Sequence, residues 1–103
     1  MAVFAISFRI HYDSTYDDRY ASVVDAIKYE AQGDYWDETT SFFLISSDKA
    51  SKDLAFSIYA LSKLAVSKDL LVVLNQNYKG ASYAGTLHDR SLVKLLPHIT
   101  KAA

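Results

Sequence analysis

Apolar and polar residues alternate over the first ten positions of the chain. One side of this pattern is Phe4, Ile6, Phe8 and Ile10, and the other is Val3, Ala5, Ser7 and Arg9. A period of two is typical of a strand that turns one face to the core. We therefore predict a first strand here, with the even-numbered residues buried.

A helical pattern follows a polar, tyrosine-rich stretch. Thr15 and Asp18 have the spacing of a capping box, and Gly33 is suited to ending a helix. Between these signals, apolar residues recur at helical intervals, namely Tyr20, Val24, Ile27 and Ala31. The pattern predicts a first helix with these four residues on its buried face.

Strand composition returns between residues 34 and 46, with Tyr35-Trp36 at one end and Phe42 to Ile45 at the other. We predict a hairpin that turns at residues 37–40. One bent strand is the alternative. The oxygens of Ser46, Ser47 and Asp48 are then placed to cap a second helix.

The second helix is predicted from Leu54, Ile58, Leu61 and Ala65, which repeat at helical intervals, and we expect it to end near Val66. Residues 70–74 form an unbroken apolar run, as expected of a central strand covered on at least one face. We place Phe8, Leu44 and Val72 in the core.

The last part of the chain gives shorter signals. Residues 78–80 indicate a turn, residues 81–85 a short edge strand, and Thr86 with Asp89 a cap for a last helix. That helix would carry Leu92, Leu95 and Leu96 up to Pro97. We predict one domain over residues 1–97 and a short tail over residues 98–103.

The predicted order is strand, helix, two strands, helix, strand, which is the split βαβ plan. The expected fold class is α+β, a ferredoxin-like βαββαβ sandwich with two helices on one face of an antiparallel sheet, followed by a short strand and helix. The other sheet face would be open, with apolar Val3 and Ala5 on it. Because such a surface is unfavourable in water, we expect a homodimer.

Composition narrows the class of protein. The 103 residues suit a single domain and include no cysteine, which excludes disulfides, zinc–thiolate sites and a cysteine nucleophile. We expect a cytoplasmic protein without a signal peptide or a membrane span. The net charge of −1 gives no global field towards nucleic acid or anionic membranes.

Three stretches carry a resemblance to known proteins. Residues 4–8, the Tyr35-Trp36 pair with residues 40–45, and residues 69–74 resemble the SinR-like and VapD-like small proteins. These are related in fold to the smaller CRISPR adaptation endonuclease and to the antitoxin GhoS. The resemblance implies a homodimer of ferredoxin-like protomers with nucleic acid as the usual partner or substrate.

The same resemblance bears on catalysis. The CRISPR-associated proteins place a metal-binding aspartate at the end of the first strand, and the matching position here is Arg9. A guanidinium there would repel Mg²⁺. The nearest substitute is Asp13, four residues later.

The loop from His11 to Tyr20 contains the richest set of polar groups. One interpretation is a Mg²⁺-dependent phosphodiesterase site with Asp13 as ligand and His11 as proton carrier. The other, which we favour, is a solvated loop and helix start, with Asp17 and Asp18 at the positive end of the helix dipole. We therefore predict no cofactor unless the first interpretation holds.

The candidate binding residues are Arg9, Tyr12, Arg19 and Trp36. Trp36 is suited to stacking a base, although packing in a core or an interface is the favoured interpretation. The sequence contains no glycine-rich nucleotide motif, and its three histidines lack metal-ligand spacing.

Two functional hypotheses follow from these observations. The first is a small dimeric binding or assembly module that docks to a protein or nucleic acid, such as a mobile-element accessory or inhibitor. The alternative is a metal-dependent endoribonuclease of the CRISPR-adaptation or antitoxin type that uses Asp13. A purely structural dimer is a third hypothesis.

Overall fold

The structure is a computed structural model that describes residues 1–76 and 80–102. The six strands are β1 (Ala2–Arg9), β2 (Tyr35–Trp36), β3 (Phe42–Ser47), β4 (Leu70–Asn75), β5 (Ser82–Tyr83) and β6 (Thr100–Lys101). The three helices are α1 (Tyr16–Glu30), α2 (Ser51–Leu61) and α3 (Ser91–Leu95). These described elements confirm the α+β class. No helix among them is long and apolar enough to cross a membrane.

The main sheet has four strands in the order β2-β3-β1-β4, and all neighbouring strands are antiparallel. The predicted hairpin is confirmed, because Tyr35 pairs with Ile45 and Trp36 with Leu44. The single bent strand is excluded. Ser41, before β3, has a φ of 53°, a left-handed conformation in the connection between the two strands.

The first core cluster lies between one face of this sheet and helices α1 and α2. Its members are Phe4, Ile6, Phe8, Ile10, Val23, Ala26, Ile27, Phe43, Ile45, Leu54, Ile58 and Leu64. The prediction that the even-numbered residues of β1 are buried is therefore confirmed.

The helices deviate from their predicted faces and ends. On α1 the buried residues are Arg19, Val23, Ala26 and Ile27, whereas the predicted Tyr20, Val24 and Ala31 are only partly buried. The buried face is thus rotated from the predicted one, and it includes Arg19, whose guanidinium is bound to buried Asp69. α2 ends at Leu61, before the predicted Val66, and Leu61 itself is 53% exposed.

β4 is not the central strand that its composition predicted. It lies at the edge of the sheet, where Leu71 and Val73 pack on the first core cluster. Leu70, Val72 and Leu74 point to the other side and are exposed, so the expected burial of Val72 is wrong. An unbroken apolar run here reflects one covered face and one uncovered apolar face.

The second sheet face is not open as predicted, because the C-terminal segment folds back over part of it. The second core cluster consists of Ala5, Trp36, Leu44, Leu92, Leu95 and Leu96. Val3 and Ile99 pack against it. The C-terminal segment therefore covers the apolar residues of β1 that we expected to form a dimer interface.

The predicted short strand and last helix are present as β5 and α3. β5 pairs in parallel with β6, inside the predicted tail, and forms a separate two-stranded sheet. The predicted Thr86–Asp89 capping box is wrong, because the N-cap of α3 is Arg90 and no side chain caps the helix. Asp89 Oδ1 instead accepts a hydrogen bond from Ser91 N at 2.9 Å in the turn before it. The turn predicted at residues 78–80 lies mostly outside the described residues.

Candidate functional site

Arg19 and Asp69 form a buried ion pair at the end of the sheet where β1 ends. Arg19 Nη1 donates to Asp69 Oδ2 at 2.6 Å. Asp69 also accepts hydrogen bonds from the backbone N–H groups of His11 and Ala65, each at 2.9 Å. One carboxylate therefore joins the loop after β1, helix α1 and the segment before β4.

Asp13 extends this pair to the surface. Its Oδ1 accepts from Arg19 Nη2 at 2.7 Å and from Thr15 N at 3.0 Å. Its Oδ2 accepts from Lys68 Nζ at 2.6 Å. Two carboxylates and two cations therefore form one neutral cluster, the Asp13–Arg19–Lys68–Asp69 cluster.

The ionisation of these groups follows from their contacts. Burial alone would raise the pKa of Asp69, but the Arg19 guanidinium and the two backbone N–H groups outweigh it, so that pKa is lowered. Hydrogen bonds from Lys68 and then Arg19 hold the pKa of Asp13 well below its usual range. Asp69, followed by Asp13, raises the pKa of Arg19.

The cluster does not fit a Mg²⁺ site. Both Asp13 oxygens are held by cationic side chains, which a metal ion would have to displace. His11 contributes its backbone, since its carbonyl accepts from Arg19 Nη2 at 2.8 Å. No group of three histidine, cysteine, aspartate or glutamate side chains in the described chain is arranged to hold a metal ion.

The structure brings together only some of the residues singled out in the sequence. Arg19, Asp13 and the His11 backbone meet in the cluster, where buried Arg19 has no surface for a partner. Tyr12 is exposed, and its ring lies 5.2 Å from the ring of Tyr16 in a tilted arrangement. Trp36 lies in the second core cluster, 8% exposed, which confirms core packing over a stacking platform.

Asp69 and Lys68 were missed by reasoning from the sequence. Their signal was a charged pair directly before a long apolar strand. A carboxylate next to a strand that packs on the core becomes buried with it, and a buried carboxylate is stable only when a cation or hydrogen-bond donors contact it. Arg19 was the available cation, on the helix predicted to pack nearby.

The second feature is an apolar stripe on the edge strand β4. This β4 stripe consists of Leu70, Val72 and Leu74, which are 49%, 39% and 57% exposed. On β1 their neighbours in register are Arg9, Ser7 and Ala5. Arg9 therefore lies exposed beside the stripe, and no described strand pairs with the outer side of β4.

Apolar groups are also exposed on the helix side of the same edge. A groove of about 310 Å³ between the end of α2 and the start of β4 is lined by Tyr59, Val66 and Leu70, among others. Tyr59 and Val66 are 40% and 73% exposed. The β4 edge is thus apolar on both faces of the sheet.

Comparisons with known proteins do not assign the chain to a family. No protein family, curated protein or solved structure matches it. The likeness to the SinR-like and VapD-like proteins thus stays a resemblance.

Proposed function

We propose that this protein is a ferredoxin-like binding module that assembles as a homodimer through its β4 edge. The sheet order β2-β3-β1-β4 with all strands antiparallel supports the ferredoxin-like assignment, since it is the order that the split βαβ plan produces. The observation that supports the assembly is the exposed β4 stripe on an unpaired edge strand.

Edge strands in stable monomers usually carry features that prevent pairing. These include inward charges, lysines, prolines, bulges or a very short length. β4 has the sequence Leu-Leu-Val-Val-Leu-Asn over six residues and carries none of the charged or proline devices. An uncharged apolar edge of six residues favours pairing with another strand.

A second copy of the chain is the partner that this edge fits. The stripe carries no charge, so it complements another uncharged apolar strand. If two β4 strands pair antiparallel about Val72, Leu70 of each copy lies opposite Leu74 of the other. Every exposed side chain of the stripe then meets an apolar one.

The charges beside the stripe do not oppose this pairing. Arg9 neighbours Leu70 in register, and Ala5 neighbours Leu74. In the dimer centred on Val72, the row that begins with Arg9 of one copy therefore ends with Ala5 of the other. No two arginines face each other.

The backbone of β4 is also oriented for pairing. Gln76 N donates to Val3 O at 2.8 Å, so the ladder to β1 uses the even-numbered residues of this strand. The N–H and C=O groups of Leu71 and Val73 consequently point to the free edge. In the register centred on Val72 these two residues are opposite each other and can exchange hydrogen bonds.

Binding is favoured over metal-dependent catalysis by two observations. Arg9 stands where the resembling proteins place a metal-binding aspartate. Asp13, the substitute ligand, is engaged by Arg19 and Lys68. The positive charge of Arg9 and the existing ion pairs of Asp13 both disfavour the binding of a divalent cation.

Sedimentation velocity at micromolar concentration tests the proposal. We expect a species of twice the 11.5 kDa chain mass for the unchanged protein and for Tyr29→Lys, a control at an exposed position of α1. Val72→Lys should sediment as a folded monomer, with its fold checked by circular dichroism. A monomer for the unchanged protein, or a dimer unaffected by Val72→Lys, would contradict the proposal.

A further inference from the structure

Helix α2 lies beside the free edge of β4, on the helix-covered face of the sheet. It packs against both α1 and β4. Its side towards α1 carries Ser57, whose Oγ accepts from Lys49 Nζ, and the same ammonium binds Glu30 of α1. Ala55 and Tyr59 instead line the groove between α2 and β4. One side of α2 is therefore paired with α1, and the other side faces the edge that we propose for assembly.

The groove between α2 and β4 is apolar and carries no free charge. Every side chain that lines it is apolar or aromatic except Asp69, whose carboxylate is already bound to Arg19 and to two backbone N–H groups. Tyr59, Val66 and Leu70 nevertheless remain exposed there. Such a groove is suited to another uncharged, apolar surface.

The spacing of strands and helices indicates which surface reaches the groove. Neighbouring strands lie about 4.8 Å apart, so a four-stranded sheet extends roughly 10 Å from its midline to the axis of a dimer paired through its edge. Two helices that pack on such a sheet lie 8–10 Å apart, so each is roughly 5 Å from the midline. A two-fold axis beside β4 therefore brings the two α2 helices to within roughly 10 Å of each other, which is the distance of packed helices.

Strand pairing alone would give a small interface. The three side chains of the β4 stripe are only about half exposed in the single chain, whereas a stable complex typically buries roughly 800 Å² on each partner. Contact between the helices adds apolar surface on the other face of the same edge.

We infer that α2 of a second copy fills this groove, with Tyr59 of each chain packing against α2 of the other across the two-fold axis. This inference rests on the proposed pairing through β4 and adds the helix layer to that interface. Because Tyr59 is a large aromatic side chain close to the axis, it should contribute strongly to association.

The first test compares dimer dissociation constants, measured by sedimentation equilibrium, for the unchanged protein, Tyr59→Ala and Tyr29→Ala. Tyr29 is the matched control, since it is the same residue type on α1 and is 77% exposed, against 40% for Tyr59. We expect Tyr59→Ala to raise the Kd at least about tenfold and Tyr29→Ala to leave it unchanged. Circular dichroism checks that both variants are folded.

The second test observes the contact in the unchanged protein. In a mixture of ¹³C-labelled and unlabelled chains, isotope-filtered nuclear Overhauser spectra should show contacts between the Tyr59 ring of one copy and α2 of the other. A dimer that Val72→Lys dissociates, but that keeps its Kd in Tyr59→Ala or shows no contact between the α2 helices, would overturn the inference and leave the β4 pairing intact. A monomeric unchanged protein would overturn both.

Discussion

Arg19 Nη1 lies 2.6 Å from Asp69 Oδ2, and the Asp69 side chain has no exposed surface. This pair connects α1 to the residue before β4, which are 50 positions apart in the chain. It fixes the helix layer relative to the strand whose edge we propose for assembly.

Removing the charge of Asp69 should destabilise the fold strongly, because the buried guanidinium of Arg19 would then lose its fully buried counterion and keep only the partly exposed Asp13. For Asp69→Asn we expect the melting temperature to fall by roughly 10 °C or more. Asp25→Asn, at an exposed position of α1, the helix that carries Arg19, is the control and should melt almost unchanged. The double variant Arg19→Met, Asp69→Leu should melt above Asp69→Asn. Nearly unchanged melting of Asp69→Asn would mean that the pair carries little stability.

Stability should fall in acid because two carboxyl groups have lowered pKa values in the folded protein. Asp13 and Asp69 each start from an ordinary value of 3.8. Their contribution is complete above that value and is lost as the pH falls through the folded pKa values. The urea midpoint, measured from pH 7 to pH 2, should therefore decline below about pH 4. The midpoint of Asp13→Asn should decline less steeply over the same range. Identical slopes for both proteins would remove Asp13 from this account.

The two core clusters should each depend on a single large side chain. Phe8 belongs to the first and Leu44 to the second, both about 95% buried or more. We expect Phe8→Ala to cost about 3–5 kcal/mol and Leu44→Ala about 2–5 kcal/mol of unfolding free energy. Leu61→Ala, at an exposed position, should change it by no more than about 0.5 kcal/mol. A small loss for Leu44→Ala would show that the C-terminal segment packs loosely on the sheet.

Glu38 should hold the C-terminal segment in place through the backbone of residues 88 and 89. Glu38→Ala removes the acceptor of both N–H groups. We expect hydrogen exchange at these two amides to accelerate, while amides of β1 stay protected. Asp37→Ala, at the neighbouring position, is the control. Equal protection in Glu38→Ala and the unchanged protein would contradict the role of Glu38.

Elements with a strong periodic pattern could be predicted from the sequence. The alternation around Phe8 predicted the buried face of β1. The aromatic Tyr35-Trp36 pair and the polar turn after it predicted the hairpin. In each case the pattern extends over one element and reports directly which face is buried. α3 was also predicted, since Leu92 and Leu95 are spaced one helical turn apart.

Features that depend on contacts between distant segments could not be predicted in the same way. The edge position of β4 depends on strand order, and its apolar run looks the same for a buried and an exposed strand. The burial of Arg19 depends on Asp69, and the residues that neighbour either one in the sequence do not indicate that the two are in contact. The cover on the second sheet face comes mainly from Leu92, Leu95 and Leu96, and the pattern that predicts α3 does not indicate on which face of the sheet this helix packs.

The central claim is the assembly of two chains through β4, and a single cysteine tests it most directly. The chain has no cysteine, so Val72→Cys introduces the only thiol. In the register centred on residue 72, the two thiols belong to a non-hydrogen-bonded antiparallel pair, with Cα atoms roughly 4.5 Å apart, which is within disulfide range.

Mild oxidation of Val72→Cys at micromolar concentration should give a disulfide-linked dimer in high yield on non-reducing gels. Tyr29→Cys, at an exposed position of α1, is the matched control and should remain largely unlinked. Rapid and nearly complete linking of Val72→Cys alone is the result that this account predicts. Linking of Val72→Cys no faster than that of Tyr29→Cys would contradict it.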